Sequence, residues 1–246
     1  MGNIFKAYDI RGLYPEEINE EVAYRVGKAF VDFLGAKHIV IGRDMRTSSP
    51  AIFKELSRGI TEQGANIYDI GMSTTDMFYF AVEDLGADAG IMITASHNPG
   101  QYNGLKMVRS HATPIGGESG IKDIEALYHK NEFTPAASKG QIIPKPGMLE
   151  AYVRFIHGLV DMDKIKPLRG VVDAGNGMAG LVAPKMFENP PIEVIPMFFE
   201  PDGSFPNHEA NPLIEENRLD LIAKVKEVKA DFGVGFDGDS DRAFLV

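Results

Sequence analysis

The chain has 246 residues, 44% of them apolar and 24% charged, the profile of a globular protein with room for one large domain or two of ordinary size. A formal charge of −10, from 25 basic against 35 acidic residues, speaks against nucleic acid as a main partner. The absence of cysteine removes disulfides, thiolate metal sites and cysteine nucleophiles together, and no apolar run reaches the roughly 18–20 residues of a membrane span. With no basic-then-apolar leader at Met1-Gly2-Asn3-Ile4-Phe5-Lys6, the expected location is cytoplasmic, with no membrane partner.

The first periodic stretch, residues 20–34, places Val22, Val26, Ala29, Phe30 and Phe33 on one helical face, and Gly35 follows where such helices end. His38-Ile39-Val40-Ile41 reads as a buried strand running into the basic loop 42–49. Ser49-Pro50 predicts an N-cap and first-turn proline for a helix that buries Ile52, Phe53, Leu56 and Ile60. A strand at 66–70, a helix at 76–85 and a strand at 90–93 continue the alternation, and the last strand delivers the polar loop Thr94-Ala95-Ser96-His97-Asn98-Pro99. A helix over 120–130 precedes residues 132–147, which carry Pro135, Pro144 and Pro146 with little periodicity and read as a linker. Beyond it come a helix at 148–160, strands at 170–173 and 193–198, a helix at 218–228, and the strand 231–237 ending in acid. The pattern predicts an α/β protein of two doubly wound, mainly parallel-sheet domains, residues 1–145 and 146–246.

Asp237-Gly238-Asp239-Ser240-Asp241-Arg242 is the strongest chemical signal. Three carboxylates on alternate residues repel one another unless a cation lies between them, and oxygen-only donors suit a hard ion such as Mg²⁺. An EF-hand fits less well, because its required glycine falls at Arg242. Ser96 stands at a strand-to-loop change, where open α/β sheets place their chemistry. A serine-hydrolase elbow needs glycines two residues either side, and those positions are Thr94 and Asn98. His97, adjacent to the serine, is expected to be structural or a hydrogen-bond donor. Arg11, Arg43, Arg46, Lys106, Arg109 and Arg242, all near Gly- or Asp-rich loops, are candidate phosphate ligands against the acidic background. A competing dinucleotide site rests on Gly175-Asn176-Gly177-Met178-Ala179-Gly180 after a strand, with Glu200 further on. Against it, the helix that should follow is short before Pro190-Pro191.

Taken together, Tyr8-Asp9-Ile10-Arg11-Gly12, Thr94 to Pro99 with Asn103-Gly104-Leu105-Lys106, Asp173-Ala174-Gly175-Asn176-Gly177, Glu200-Pro201-Asp202-Gly203 with Phe205-Pro206-Asn207-His208, and Asp237 to Arg242 resemble the N-terminal half of the α-D-phosphohexomutases, phosphomannomutase/phosphoglucomutase in look. The resemblance implies that Ser96 is carried as phosphoserine and that Asp237, Asp239 and Asp241, with an oxygen on Ser96, hold Mg²⁺. It implies Lys106 as general acid/base, Arg11 and Arg242 as phosphate-facing charges, and Tyr8 as part of the substrate site, with the active-site loops at the interface of the two domains. The implied reaction interconverts hexose 6-phosphate and hexose 1-phosphate, of mannose and/or glucose, through a hexose 1,6-bisphosphate intermediate. Phosphoglucosamine mutase, or a Mg²⁺-dependent phosphate-binding module without turnover, are the alternatives. Because the family has four domains, the chain is expected to hold domains I and II without III and IV, and to turn over weakly without a C-terminal partner half.

Overall fold

The computed structural model describes residues 3–246. The chain divides into two compact units, one of Met1–Met72, Phe78–Ala95 and Gln101–Pro146, the other of Ser73–Met77, Ser96–Gly100 and Gly147–Val246. Two short segments of the N-terminal part of the sequence therefore belong with the second unit. Among the described residues, no helix is long and apolar enough to cross a membrane.

The first unit begins with β1 (Ile10–Leu13), α1 (Glu20–Leu34), β2 (His38–Arg43), α2 (Ser49–Glu62) and β3 (Asn66–Met72). Helix α3 (Thr75–Asp84) lends its first turn to the second unit, and then come β4 (Ala89–Ile93), β5 (Tyr102–Arg109), α4 (Ile121–Lys130) and β6 (Ile142–Pro144). The sheet order is β1-β5-β4-β2-β3-β6. The pairs β4–β2, β2–β3 and β3–β6 are parallel, whereas β5 is antiparallel to β4 and to β1. Ile41, Ile91 and Leu105 of the sheet pack with Val26, Phe30 and Ile52 of the helices in a fully buried core.

Helix α1 has the expected ends: Asn19 Oδ1 accepts from Val22 N–H at 3.1 Å, and Gly35, at φ +63°, donates its N–H to Val31. Helix α2 departs from expectation at its start. It begins at Ser49 itself, with Ser48 before it and no side-chain cap bond, because the Ser49 hydroxyl donates to Asp44 at 2.9 Å and Ser48 Oγ accepts from Asn103 at 2.7 Å. The helices α1 and α2 meet backbone to backbone: a Cβ on Gly59 would stand 2.2 Å from the Tyr24 carbonyl oxygen, and one on Gly27 2.6 Å from that of Leu56.

Strands β5 and β6 lie outside those the sequence pattern predicts, one of them within the expected linker. Residues 102–109 form β5, and 142–144, inside the expected linker, form β6 on the sheet edge, where a proline is tolerated.

The second unit holds α5 (Met148–Leu159), β7 (Leu168–Asp173), α6 (Ala179–Met186), β8 (Ile192–Met197), α7 (Leu219–Val228), β9 (Phe232–Phe236) and β10 (Ala243–Leu245). Its sheet runs β10-β9-β7-β8, with β7 parallel to both neighbours and β10 antiparallel to β9. Val172, Ala183 and Val234 form its inner cluster, flanked by Phe187, Val194, Phe199 and Phe236. The C-terminal ends of β7 and β9 carry Asp173 and lead into Asp237, which is where parallel strands present their loops.

Candidate functional site

In the second unit the serine loop and the acid loop meet. Ser96 is fully buried and holds a left-handed backbone, φ +52°, a conformation that costs a non-glycine residue about 1–3 kcal/mol. Its hydroxyl donates to Asp237 Oδ2 at 2.8 Å, and His97 Nδ1 lies 3.3 Å from Ser96 Oγ. Gly100 permits a close passage here, since a Cβ would come within 2.7 Å of the Gly203 carbonyl oxygen.

The acid loop is a tight turn after β9. Asp237 and Arg242 are joined twice: Asp237 N–H donates to the Arg242 carbonyl at 3.2 Å, and Arg242 N–H donates to the Asp237 side chain at Oδ1, 3.1 Å away. Ser240 N–H donates to the Asp237 carbonyl at 3.1 Å, with Ser240 at φ +63°. Asp239 is gripped by Thr75, whose N–H donates to its carbonyl at 3.0 Å and whose hydroxyl donates to Oδ2 at 2.6 Å. One carboxylate oxygen from each of Asp237, Asp239 and Asp241 lies within 4.8 Å of the others. Asp237 and Asp239 are fully buried. Burial, followed by the charges of Asp239 and Asp241, pushes the Asp237 carboxyl up to about 7. The Ser96 hydroxyl and the Arg242 N–H oppose this rise, and the Arg242 side chain, 43% exposed, holds its Nε 4.0 Å from Asp237 and 3.8 Å from Asp241. Three oxygen donors that converge, repel one another and lie largely out of water fit a hard divalent cation.

The glycine-rich loop after β7 supports the acid loop from below. Gly175 N–H donates to Asp173 Oδ1 at 2.8 Å, Gly177 N–H to the Ala174 carbonyl at 2.7 Å, and Met178 N–H to the Gly238 carbonyl at 2.9 Å. A Cβ on Gly177 would approach that Gly238 oxygen to 2.8 Å. The N–H groups a dinucleotide phosphate would require are thus satisfied within the chain, which overturns that competing reading. Glu200 enters through its carbonyl, which accepts from Asn176 Nδ2 at 2.8 Å, and Asn207 Nδ2 donates to Asn176 Oδ1 at 2.8 Å. His208 Nε2 lies 3.0 Å from Asp173 Oδ2, and this carboxylate raises the imidazole pKa above its ordinary value.

In the first unit, the strand ends that flank the serine loop are pinned by a buried ion pair. Arg46 Nε meets Asp44 Oδ2 at 3.0 Å with both side chains fully buried, and Arg46 Nη1 donates to the Tyr102 carbonyl at 2.9 Å. Asp44 N–H donates to the Ile93 carbonyl at 3.0 Å, and its carboxylate is hydrogen-bonded by Ser49 and Thr94. Burial raises the Asp44 pKa, with Arg46 and these donors opposing the rise. Arg46 is therefore a structural cation and not the phosphate ligand its loop suggested. Arg43 pairs with Asp69 at 2.9 Å over the Phe53 ring, and Arg109 donates to the Ser119 carbonyl beside Phe33.

Of the remaining expected residues, Arg11 lies on β1 opposite Gly104 of β5, which places it on the same sheet face as Lys106 and beside its partner Asp9. Tyr8 is 84% exposed, on a concavity of about 640 Å³ shared with Lys6, Ser119 and Lys122. Sequence reasoning brought out Ser96, the three acids and Arg242, which the second unit brings together; it missed Thr75 and Asp44.

A family model described as phosphoglucomutase/phosphomannomutase, alpha/beta/alpha domain I, matches residues 2–135, and domain II of the same family matches residues 150–246. A phosphomannomutase of Escherichia coli is 44% identical over 249 residues, covering 98% of this chain and 54% of its own length. A Xanthomonas campestris protein named phosphohexose mutases is 43% identical, with 98% and 54% covered. Among solved structures, a phosphoglucomutase/phosphomannomutase family protein from Burkholderia thailandensis superposes with a TM-score of 0.89 at 36% identity, over 99% of this chain and 54% of that one. The chain spans about half the length of the curated relatives it matches.

Proposed function

Given that this chain belongs to the phosphoglucomutase/phosphomannomutase family, we propose that it supplies the phosphoryl-carrying serine and the cation-binding acids of a phosphohexomutase acting on mannose and/or glucose phosphate. The observation that carries the reading is the 2.8 Å hydrogen bond from Ser96 Oγ to Asp237, one of three clustered acids. Asp237, Asp239 and Asp241, with an oxygen on Ser96, would hold Mg²⁺, which would supply positive charge to offset the negative charge of a phosphoryl group in transfer. As Ser96 gives up its phosphoryl group, the serine O–P bond breaks and a bond to a sugar hydroxyl oxygen forms. Lys106 takes the hydroxyl proton, while Arg11, Arg242 and Tyr8 hold the substrate. The bisphosphorylated sugar then returns its other phosphoryl group to Ser96. The site needs charge and positioning more than covalent help, which accords with its internally hydrogen-bonded loops.

The test is intact-mass spectrometry after incubation with Mg²⁺ and glucose 1,6-bisphosphate. The unaltered chain is expected to gain about 80 Da, the mass of one phosphoryl group, and Ser96→Ala to gain nothing. An equal gain in Ser96→Ala, or none in the unaltered chain, overturns the assignment.

A further inference from the structure

We propose that Thr75 is a positioning residue for the cation site, setting the place and rotamer of Asp239; the inference rests on the acids being cation ligands. Thr75 holds Asp239 twice, by the 3.0 Å bond from its N–H to the carbonyl and the 2.6 Å bond from its hydroxyl to Oδ2. The first fixes the backbone of the acid loop and the second fixes the carboxylate. A hydroxyl-to-carboxylate bond of this length is of the charge-assisted, stronger class. Both residues are fully buried, so no bulk water replaces the hydroxyl when it is removed.

The donor is itself held in place at a capped helix start. Thr75 opens α3, where the first N–H groups have no partner within the helix and are available to an outside acceptor. Thr74 Oγ1 accepts from Met77 N–H at 3.1 Å, which caps this first turn. Asp237, by comparison, is oriented by Ser96 Oγ and Arg242 N–H. Two buried acids are thus each aimed by a hydroxyl from a segment distant in sequence, Ser96 for one and Thr75 for the other. Residues that orient ligating side chains from outside the coordination sphere typically change metal affinity about 10–100-fold when altered.

The experiment titrates the full chain with Mn²⁺, reading free ion by electron paramagnetic resonance, with thermal unfolding as a check on folding. Thr75→Val keeps the shape and removes the hydroxyl; Thr75→Ser keeps the hydroxyl and removes the methyl. A positioning role predicts affinity about 10–100-fold weaker in Thr75→Val and near the unaltered value in Thr75→Ser. Equal affinity in Thr75→Val and the unaltered chain overturns the proposal, as does equal loss in both variants, which marks a packing role alone. If Thr75→Val does not fold, Thr75→Ala, which places no extra methyl against the carboxylate, is read in the same way. Asp239→Asn separates the two levels: it must abolish Mn²⁺ binding, and retained binding in that variant takes down the cation-site reading itself.

Discussion

Ser96 combines burial, a left-handed backbone and a hydrogen bond to a carboxylate that burial and two like charges push up to about 7. The left-handed backbone and the repulsion among buried acids oppose stability unless a counter-charge is bound nearby, while the Ser96 hydrogen bond partly offsets them, so the site suits a charged partner. Asp237→Asn removes one of three mutually repelling acids and keeps an acceptor for the Ser96 hydroxyl. We expect its melting temperature without cation to rise above that of the unaltered chain. Mg²⁺ at about a hundred times its Kd should stabilise the unaltered chain by about 2.7 kcal/mol and leave the variant unchanged. Thermal unfolding with Mg²⁺ or with chelator checks both halves, and an equal Mg²⁺ effect on the two proteins would refute the assignment. Ser96 and the acids were legible in the sequence because an apolar run gives way abruptly to small polar residues and because acids recur on alternate positions. Thr75 was not: Ser73-Thr74-Thr75 reads as an ordinary helix start, and its bond to Asp239 spans 164 residues.

At the scale of elements, α1 and α2 approach so closely that glycine is required where they cross. In an exposed helix, Gly→Ala is favourable by about 1 kcal/mol. At Gly59 the added carbon would stand 2.2 Å from the Tyr24 carbonyl oxygen, and the sign reverses. Gly59→Ala is expected to destabilise by about 1–3 kcal/mol through overpacking, read as a lower denaturant midpoint in urea. A midpoint at or above that of the unaltered chain would show that the helices separate freely. The same pair marks where patterning succeeds: α1 has a clean apolar face, an asparagine before it and a left-handed glycine after it. Patterning failed where both faces of a strand are covered. Strand β5 alternates nothing, since Asn103, Gly104 and Leu105 are buried in succession, and Gly104 and Lys106 dilute its apolar content. Strands β1 and β6 are too short to show a period, and β6 ends in proline.

At the scale of the whole molecule, the second unit is discontinuous. Ser73–Met77 and Ser96–Gly100 belong to it although the rest of it begins at Gly147. A chain reduced to residues 147–246 would lose Thr75 and Ser96, the partners of Asp239 and Asp237. We expect it to unfold without a sharp transition and to bind Mn²⁺ far more weakly than the full chain; cooperative melting with undiminished affinity would contradict that. Discontinuity also bears on the order of synthesis. Translation at about 5–20 residues per second separates Thr75 from Asp239, 164 positions later, by roughly 10–30 s. Throughout that wait the nascent chain carries Ser73–Met77 and Ser96–Gly100 with their partners not yet made. The acids emerge after both of their anchors are already present.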